Sequence, residues 1–123
     1  VDNCIFCKIV AKQIPSSVVY EDETLLAFKD IHPAAPVHLL IIPKVHLDTL
    51  SSAQPEHEGV LGKMLALAPK LAAEHGCAPV PQADGKYTGG YKTLINTGAD
   101  GGQEVYHLHM HVIGGPKPWR GLS

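Results

Sequence analysis

Residues 106–115 read YHLHMHVIGG. His107, His109 and His111 recur at every second position, with Tyr106, Leu108, Met110 and Val112 on the alternate ones. That is the period of a β-strand, which puts three imidazoles on one face and apolar side chains on the other. Same-face neighbours on a strand lie about 6.6 Å apart, so the row spans roughly 13 Å. One metal ion does not easily hold all three, whereas two neighbours plus a third ligand from elsewhere suit a catalytic zinc site. An imidazole with an ordinary pKa of about 6.5 is mostly neutral at pH 7, and its free lone pair can attack phosphorus.

Working outward, the stretch TGADGGQE at residues 97–104 precedes the row, with Asn96 ahead of it. Glycines let backbone amides approach an anion without interference from Cβ atoms, so a phosphate is the expected neighbour of the histidines. The stretch matches neither the P-loop nor the dinucleotide fingerprint. YKTLIN before it reads as the partner strand of VYHLHMHVI. VHLLIIP at residues 37–43 is a nearly continuous apolar run, as expected of a central strand covered on both faces. SVVYEDETLLAFKD reads as a hairpin turning at Glu21 to Glu23. At the N-terminus, NCIFCKIVAKQIP predicts a short amphipathic helix with Asn3 as N-cap and Pro15 as its stop.

The longest element is PEHEGVLGKMLALAPKLAAEHG, a helix whose core stripe is Val60, Leu61, Met64, Leu65, Leu67, Ala68, Leu71 and Ala72. Glu56 and Glu58 suit its first turn and Gly76 its C′ position, while Pro69 should kink it. Residues 78–90 show no period and read as a long surface loop. The fold class predicted is α+β: about five mostly antiparallel strands with one long and one short helix.

With 123 residues, the chain suits one domain, taken as 1–123. A formal net charge of −2 provides no basic stripe for nucleic acid. No apolar run approaches the roughly 20 residues of a membrane span, and no signal peptide is visible, so a soluble, cytoplasmic protein is expected. Three cysteines include Cys4-x-x-Cys7, a spacing that suits a metal site or redox pair better than a disulfide framework.

His107-Leu108-His109-Met110-His111-Val112-Ile113 resembles the histidine triad, His-φ-His-φ-His-φ-φ with φ apolar, of the HIT superfamily of nucleotide hydrolases and transferases. FKDIHPAAPVHLLIIPKVH, NTGADGGQEVYHLHMH and the Gly-Gly that follows the triad are similar, in order and spacing, to the Hint branch, the purine nucleoside phosphoramidases.

The resemblance implies that His109 attacks the α-phosphorus of a purine nucleoside phosphoramidate, or of an acyl-adenylate, forming a nucleotidyl-histidine that water hydrolyses to the nucleoside monophosphate. His111 would donate to phosphate oxygens, and His38 would stand beside the triad. Asn96, Gly102 and Gln103 match phosphate-binding positions, Asp30 a ribose-binding carboxylate, and Ile5, Phe6, Ile9, Phe28 and Ile31 the walls around the purine. Glu104 stands where many members carry a small hydroxyl residue that helps protonate the leaving amine. Cys4, Cys7, His46 and His107 match a Cys₂His₂ set with which some members bind structural zinc; His107 would then be a ligand rather than an acid or base, and catalysis would need no cofactor. A homodimer formed by joining two sheets is implied, with Trp119 of the tail reaching toward the neighbour's pocket. The alternatives are a Fhit-like dinucleoside polyphosphate hydrolase, a zinc-stabilised interaction module with a vestigial triad, and a zinc hydrolase with its metal on the triad.

Overall fold

The computed structural model of the chain describes residues 3–116. Val37–Pro43 forms β3, the middle strand of a five-stranded antiparallel sheet ordered β1-β2-β3-β7-β6. Its partners are β1 (Val18–Glu21), β2 (Leu25–Lys29), β6 (Tyr91–Leu94) and β7 (Met110–Gly114). Strand alternation sorts the side chains into two cores. Leu25, Ala27, Leu39, Ile41, Leu108, Met110 and Val112 pack with the long helix α2 (Glu58–Glu74). On the opposite face Leu26, Phe28, Leu40 and Ile42 pack with Cys4, Phe6 and Ile9 around the short helix α1 (Ile5–Val10). β3 is therefore covered on both faces, as its unbroken apolar run predicts.

Several local expectations are corrected. The N-cap of α1 is Cys4, whose Sγ accepts the amide of Cys7 at 3.3 Å, and not Asn3. The helix ends at Val10, ahead of Pro15, and Lys12 turns the chain with φ 64°. Helix α2 begins at Glu58, after the 3₁₀ turn Pro55–His57 that holds Glu56, and runs through Pro69, while Gly76 follows the C-cap His75 in the left-handed region at φ 78°, as its C′ position predicts. Pro69 has no amide to offer the Leu65 carbonyl, and both residues lie on the exposed face of the helix. Leu65 is 59 % exposed and is not part of the core stripe.

Residues 78–90 are not a featureless loop. β4 (Val80–Pro81) and β5 (Tyr87–Thr88) pair as a small hairpin, closed by Gln82 N–H to the Lys86 carbonyl at 2.7 Å. The Asp84-Gly85 turn shapes it, with Asp84 Oδ1 accepting the Lys86 amide at 3.0 Å and Gly85 at φ 85°.

The ladder of β7 begins only at Met110, so residues 106–109 are not sheet-paired as the period suggests. They are held by a different partner: Leu108 N–H donates to the Leu47 carbonyl at 2.6 Å. Alternation nevertheless persists, with Leu108 in the α2 core and His107 on the α1 side. The Gly-Gly after the triad has a packing reason. A Cβ at Gly114 would lie 2.7 Å from Cys77 Sγ, and Gly115 has φ 105°.

The first hairpin turns on Asp22, whose Oδ1 accepts the amides of Thr24 and Leu25, each at 2.8 Å, while Oδ2 accepts the Tyr20 hydroxyl at 2.7 Å. The Tyr20 hydrogen bond, helped by the two amides, holds the Asp22 carboxyl down at about 2 against an ordinary 3.8. A carboxylate depressed on folding stabilises the fold above its unfolded pKa and ceases to do so as pH falls through its folded value. Thermal unfolding of the wild type should therefore weaken between pH 3.8 and about 2. Asp22→Ala should cost about 1 kcal/mol at neutral pH and flatten that acid limb.

Candidate active site and metal centre

The α1 face of the sheet carries the histidines. β3 and β7 are antiparallel, with Leu40 opposite His111 and His38 opposite Ile113, which brings His38 and His111 onto the same face. His38 Nε2 lies 2.8 Å from His111 Nδ1. His38 Nδ1 accepts the Ala34 amide at 2.9 Å, and Asp30 Oδ2 stands 3.4 Å from His38 Nε2. Burial pushes the His38 pKa down against the pull of Asp30. Burial, then the neighbouring His109 and His38, hold His111 at about 4. Both rings are neutral at pH 7. His111 Nε2 is buried and has no hydrogen-bond partner among the described residues, a cost that native proteins seldom leave uncompensated outside functional sites.

Beside it, the His109 ring lies 5.1 Å from that of His111, and Phe6 meets His109 edge-on at 5.2 Å. His109 Nδ1 lies 2.8 Å from the His107 carbonyl oxygen. A carbonyl only accepts, so Nδ1 carries the proton and the lone pair sits on Nε2. Strand alternation thus delivers a nucleophilic nitrogen next to a ring nitrogen that lacks a partner.

The glycine-rich loop is organised from within. The amides of Gly101, Gly102 and Gln103 bond to the carbonyls of Gly98, Ala99 and Gly98 respectively. The buried Gln103 side chain accepts the Gly98 amide at 2.9 Å and donates to the carbonyls of Asp48 (2.7 Å) and Val105 (3.1 Å). In this arrangement Gln103 braces the loop. A side chain at Gly101 would run into the Thr97 carbonyl, so the turn tolerates only glycine there. Gly102, at φ 86°, lies against the Asn96 carboxamide, whose carbon would be 3.8 Å from a Cβ.

Of the proposed purine walls, Phe6, Ile9 and Phe28 are buried together, Ile5 is half exposed at 46 %, and Ile31 stands out at 82 %. Trp119 lies outside the described residues. Glu104 is exposed on the rim of a cleft of about 350 Å³ that Asn3, Cys4, Ile5, His46, Asp48, Val105 and Tyr106 also line.

Cys4, Cys7, His46 and His107 converge, their ligand atoms all within 4.8 Å of one another. His107 Nδ1 lies 3.4 Å from Cys4 Sγ, 3.5 Å from Cys7 Sγ and 3.2 Å from His46 Nδ1, and Cys7 Sγ lies 3.1 Å from His46 Nδ1. A tetrahedron built on zinc–sulfur bonds of about 2.3 Å and zinc–nitrogen bonds of about 2.0–2.1 Å has edges of about 3.3–3.8 Å. The distances match to within a few tenths of an ångström. The outer partners fit as well. His107 Nε2 donates to the Pro43 carbonyl at 2.8 Å and His46 Nε2 to Asp48 Oδ1 at 2.6 Å. Both Nδ1 lone pairs therefore face each other, an arrangement that a cation relieves. Burial, with Cys4 adding to it, raises the Cys7 thiol, so a metal entering this site displaces a proton. The cluster is competent to bind a metal ion.

Sequence reasoning found the four candidate ligands but missed Asp48 and the Pro43 carbonyl, which aim the two imidazoles. The signal for Asp48 was its place two residues after His46. It also missed the Ala34 amide, because a backbone donor leaves no mark in the residue types.

The family model described as "Scavenger mRNA decapping enzyme C-term binding" matches residues 3–122. The chain is 56 % identical over 115 residues to Protein HitA of Neisseria gonorrhoeae, covering 94 % of this chain and 98 % of that one. It is 44 % identical over 114 residues to the purine nucleoside phosphoramidase of Escherichia coli K12, covering 93 % and 88 %. Among solved structures, a HIT family hydrolase from Legionella pneumophila superposes with a TM-score of 0.83 at 43 % identity, covering 94 % of this chain and 95 % of that one. A zinc-bound histidine triad family protein from Mycobacterium smegmatis superposes with a TM-score of 0.73 at 32 % identity, covering 94 % and 77 %. With the triad, the fold and these likenesses in agreement, the chain belongs to the histidine triad family and is a HIT-family hydrolase.

Proposed function

We propose that this hydrolase cleaves purine nucleoside phosphoramidates at the α-phosphorus through a nucleotidyl intermediate on His109. The observation that carries the reading is the pairing of an Nε2 lone pair on His109 with the unpartnered, buried Nε2 of His111 beside it. His109 Nε2 attacks phosphorus, a P–N bond to the ring forms, and the P–N bond to the amine breaks, the amine leaving with a solvent-derived proton. Water then attacks the same phosphorus, releases the nucleoside monophosphate and restores the imidazole. His111 donates to a phosphate oxygen as charge builds on it, the kind of preorganised contact that is worth most in a dry site. Asn96 serves the phosphate side, with Gly102 leaving room beside its carboxamide while Gln103 braces their loop, Asp30 accepts from the ribose hydroxyls, and Phe6, Ile9 and Phe28, with Ile5 and Ile31 at the edge, enclose the purine. Acyl-adenylates present the same α-phosphorus and are expected substrates.

Zinc is the metal proposed for Cys4, Cys7, His46 and His107, because four closed ligands of this softness suit a structural zinc site. Its contribution there is to tie α1 to the sheet, and with His107 committed as a ligand no catalytic step passes through it. We also propose a homodimer formed through β6, an edge strand whose outer side has no partner strand among the described residues.

The name borne by the E. coli relative favours phosphoramidates over dinucleoside polyphosphates. An adenosine 5′-phosphoramidate should be hydrolysed with a kcat/KM at least about 100-fold above that for diadenosine triphosphate, a gap of roughly 2.7 kcal/mol in transition-state binding. The reverse order would point to the Fhit-like alternative. No turnover and no affinity for AMP would point to an interaction module.

A further inference from the structure

We propose that the loop 30–34 is a tautomer lock, in which the amide of Ala34 is the positioning group that fixes His38 and, through it, makes His111 a hydrogen-bond donor at Nε2. The argument is one of direction. An amide N–H can only donate, so His38 Nδ1, 2.9 Å from Ala34 N, must accept. A neutral imidazole has one proton, which is therefore on His38 Nε2. That N–H faces His111 Nδ1 at 2.8 Å, so His111 Nδ1 accepts and the His111 proton is on Nε2, the buried nitrogen without a partner. A backbone donor two hydrogen bonds away thus decides what the active site offers to a phosphate.

The rest of the loop supports the same arrangement. Asp30 N–H donates to the His38 carbonyl at 3.0 Å, and Asp30 Oδ1 accepts the His32 amide at 2.8 Å, a turn that presents the Ala34 amide to the ring. Asp30 Oδ2, 3.4 Å from His38 Nε2, favours the proton on that nitrogen. Burial keeps both rings neutral. Protonating either would set two N–H groups against each other across 2.8 Å, or against the Ala34 amide.

The lock also explains why two clusters of metal-competent residues differ. Asp30, His38 and His111 have ligand atoms within 4.8 Å of one another, like the cysteine-containing set. A cation on His38 Nε2 would have to evict its proton, and the only other nitrogen already faces an N–H. At His46 and His107 the outer partners are acceptors, so the inward nitrogens are lone pairs. One cluster is wired to hold a cation and the other to present a proton to an anion.

The test is a two-bond ¹H–¹⁵N spectrum of the full chain labelled with ¹⁵N-histidine, recorded at pH 7 without substrate. His38 and His111 should both show protonated Nε2 and unprotonated Nδ1; the opposite tautomer, or a fast average, in either ring overturns the proposal. Ala34→Pro removes the donor. It should release His38 Nδ1 from its donor, let the His38 and His111 protons exchange between the two tautomers so that His111 Nε2 is only partly protonated, and lower kcat on adenosine 5′-phosphoramidate several-fold with little change in KM. A variant that keeps the wild-type tautomers, or mixes them and keeps the wild-type kcat, overturns it too. Should Ala34→Pro fail to fold, the wild-type spectrum decides. Only the kinetic arm rests on the proposed function: the expected spectrum without phosphoramidate turnover supports the lock and removes that reading.

Discussion

Replacing His109 by alanine is expected to lower turnover of an adenosine 5′-phosphoramidate by on the order of 10⁴-fold or more, the scale on which loss of a nucleophile is felt. The site has no substitute. His107 is fully buried with Nε2 given to Pro43 and Nδ1 turned to the cysteines, and His111 Nδ1 is occupied by His38. Among the triad only His109 combines a fixed tautomer with a lone pair on Nε2. AMP binding, measured by calorimetry, should change by less than about tenfold, since the lost ring contributes little beyond 1.4 kcal/mol of ground-state contact. A His109→Ala protein that keeps turnover within tenfold of the wild type would mean that water, and not the imidazole, attacks phosphorus.

Removing the metal should strike stability before chemistry. Zinc present at a thousand times its dissociation constant stabilises the folded state by about 4 kcal/mol. For a domain of this size that is roughly 10–20 °C in Tm. Strong chelation, or Cys7→Ser in the presence of zinc, should lower Tm by that amount, read by calorimetry. Binding requires that thiols lose protons, so the zinc-dependent part of Tm should grow as pH rises from 6 to 8. Activity should fall less steeply, and through Phe6. That ring is on α1, between Cys4 and Cys7 in the sequence, and meets the His107 and His109 rings edge-on at 6.0 and 5.2 Å. A chelator that abolishes activity while leaving Tm unchanged would contradict a structural role and favour metal on the reacting histidines.

The sheet was legible because burial imposes period two on half-covered strands and continuous apolar runs on central ones. Val37–Pro43 and the even-spaced histidines state both facts directly. What the period could not reveal was where pairing stops: residues 106–109 keep the alternation of a strand while bonding to Leu47 instead of the sheet. The 80–88 hairpin was hidden because Pro79 and Pro81 read as breakers, although Asp84-Gly85 is a hairpin signal. Leu65 was assigned to the core because the 3.6-residue stripe was drawn too wide.

The candidate site divides along the same line. Residue types mark the histidine row and Cys4-x-x-Cys7, the resemblance to the histidine triad family singles out His46 and His107 as further ligands and His109 as nucleophile, and the structure brings Cys4, Cys7, His46 and His107 together. The groups that orient them are mostly backbone: the carbonyls of Pro43 and His107 and the amide of Ala34. These are present in every residue and so invisible until the fold assigns them partners.

The most direct measurement is rapid quench of the wild-type enzyme with an adenosine 5′-phosphoramidate, followed by mass analysis under conditions that preserve phosphohistidine. The predicted result is one adenylyl group per chain, bonded to His109 at Nε2, formed and consumed at rates compatible with kcat. Product released in the first turnover with no adduct at any time on His109 would contradict covalent catalysis by the central histidine.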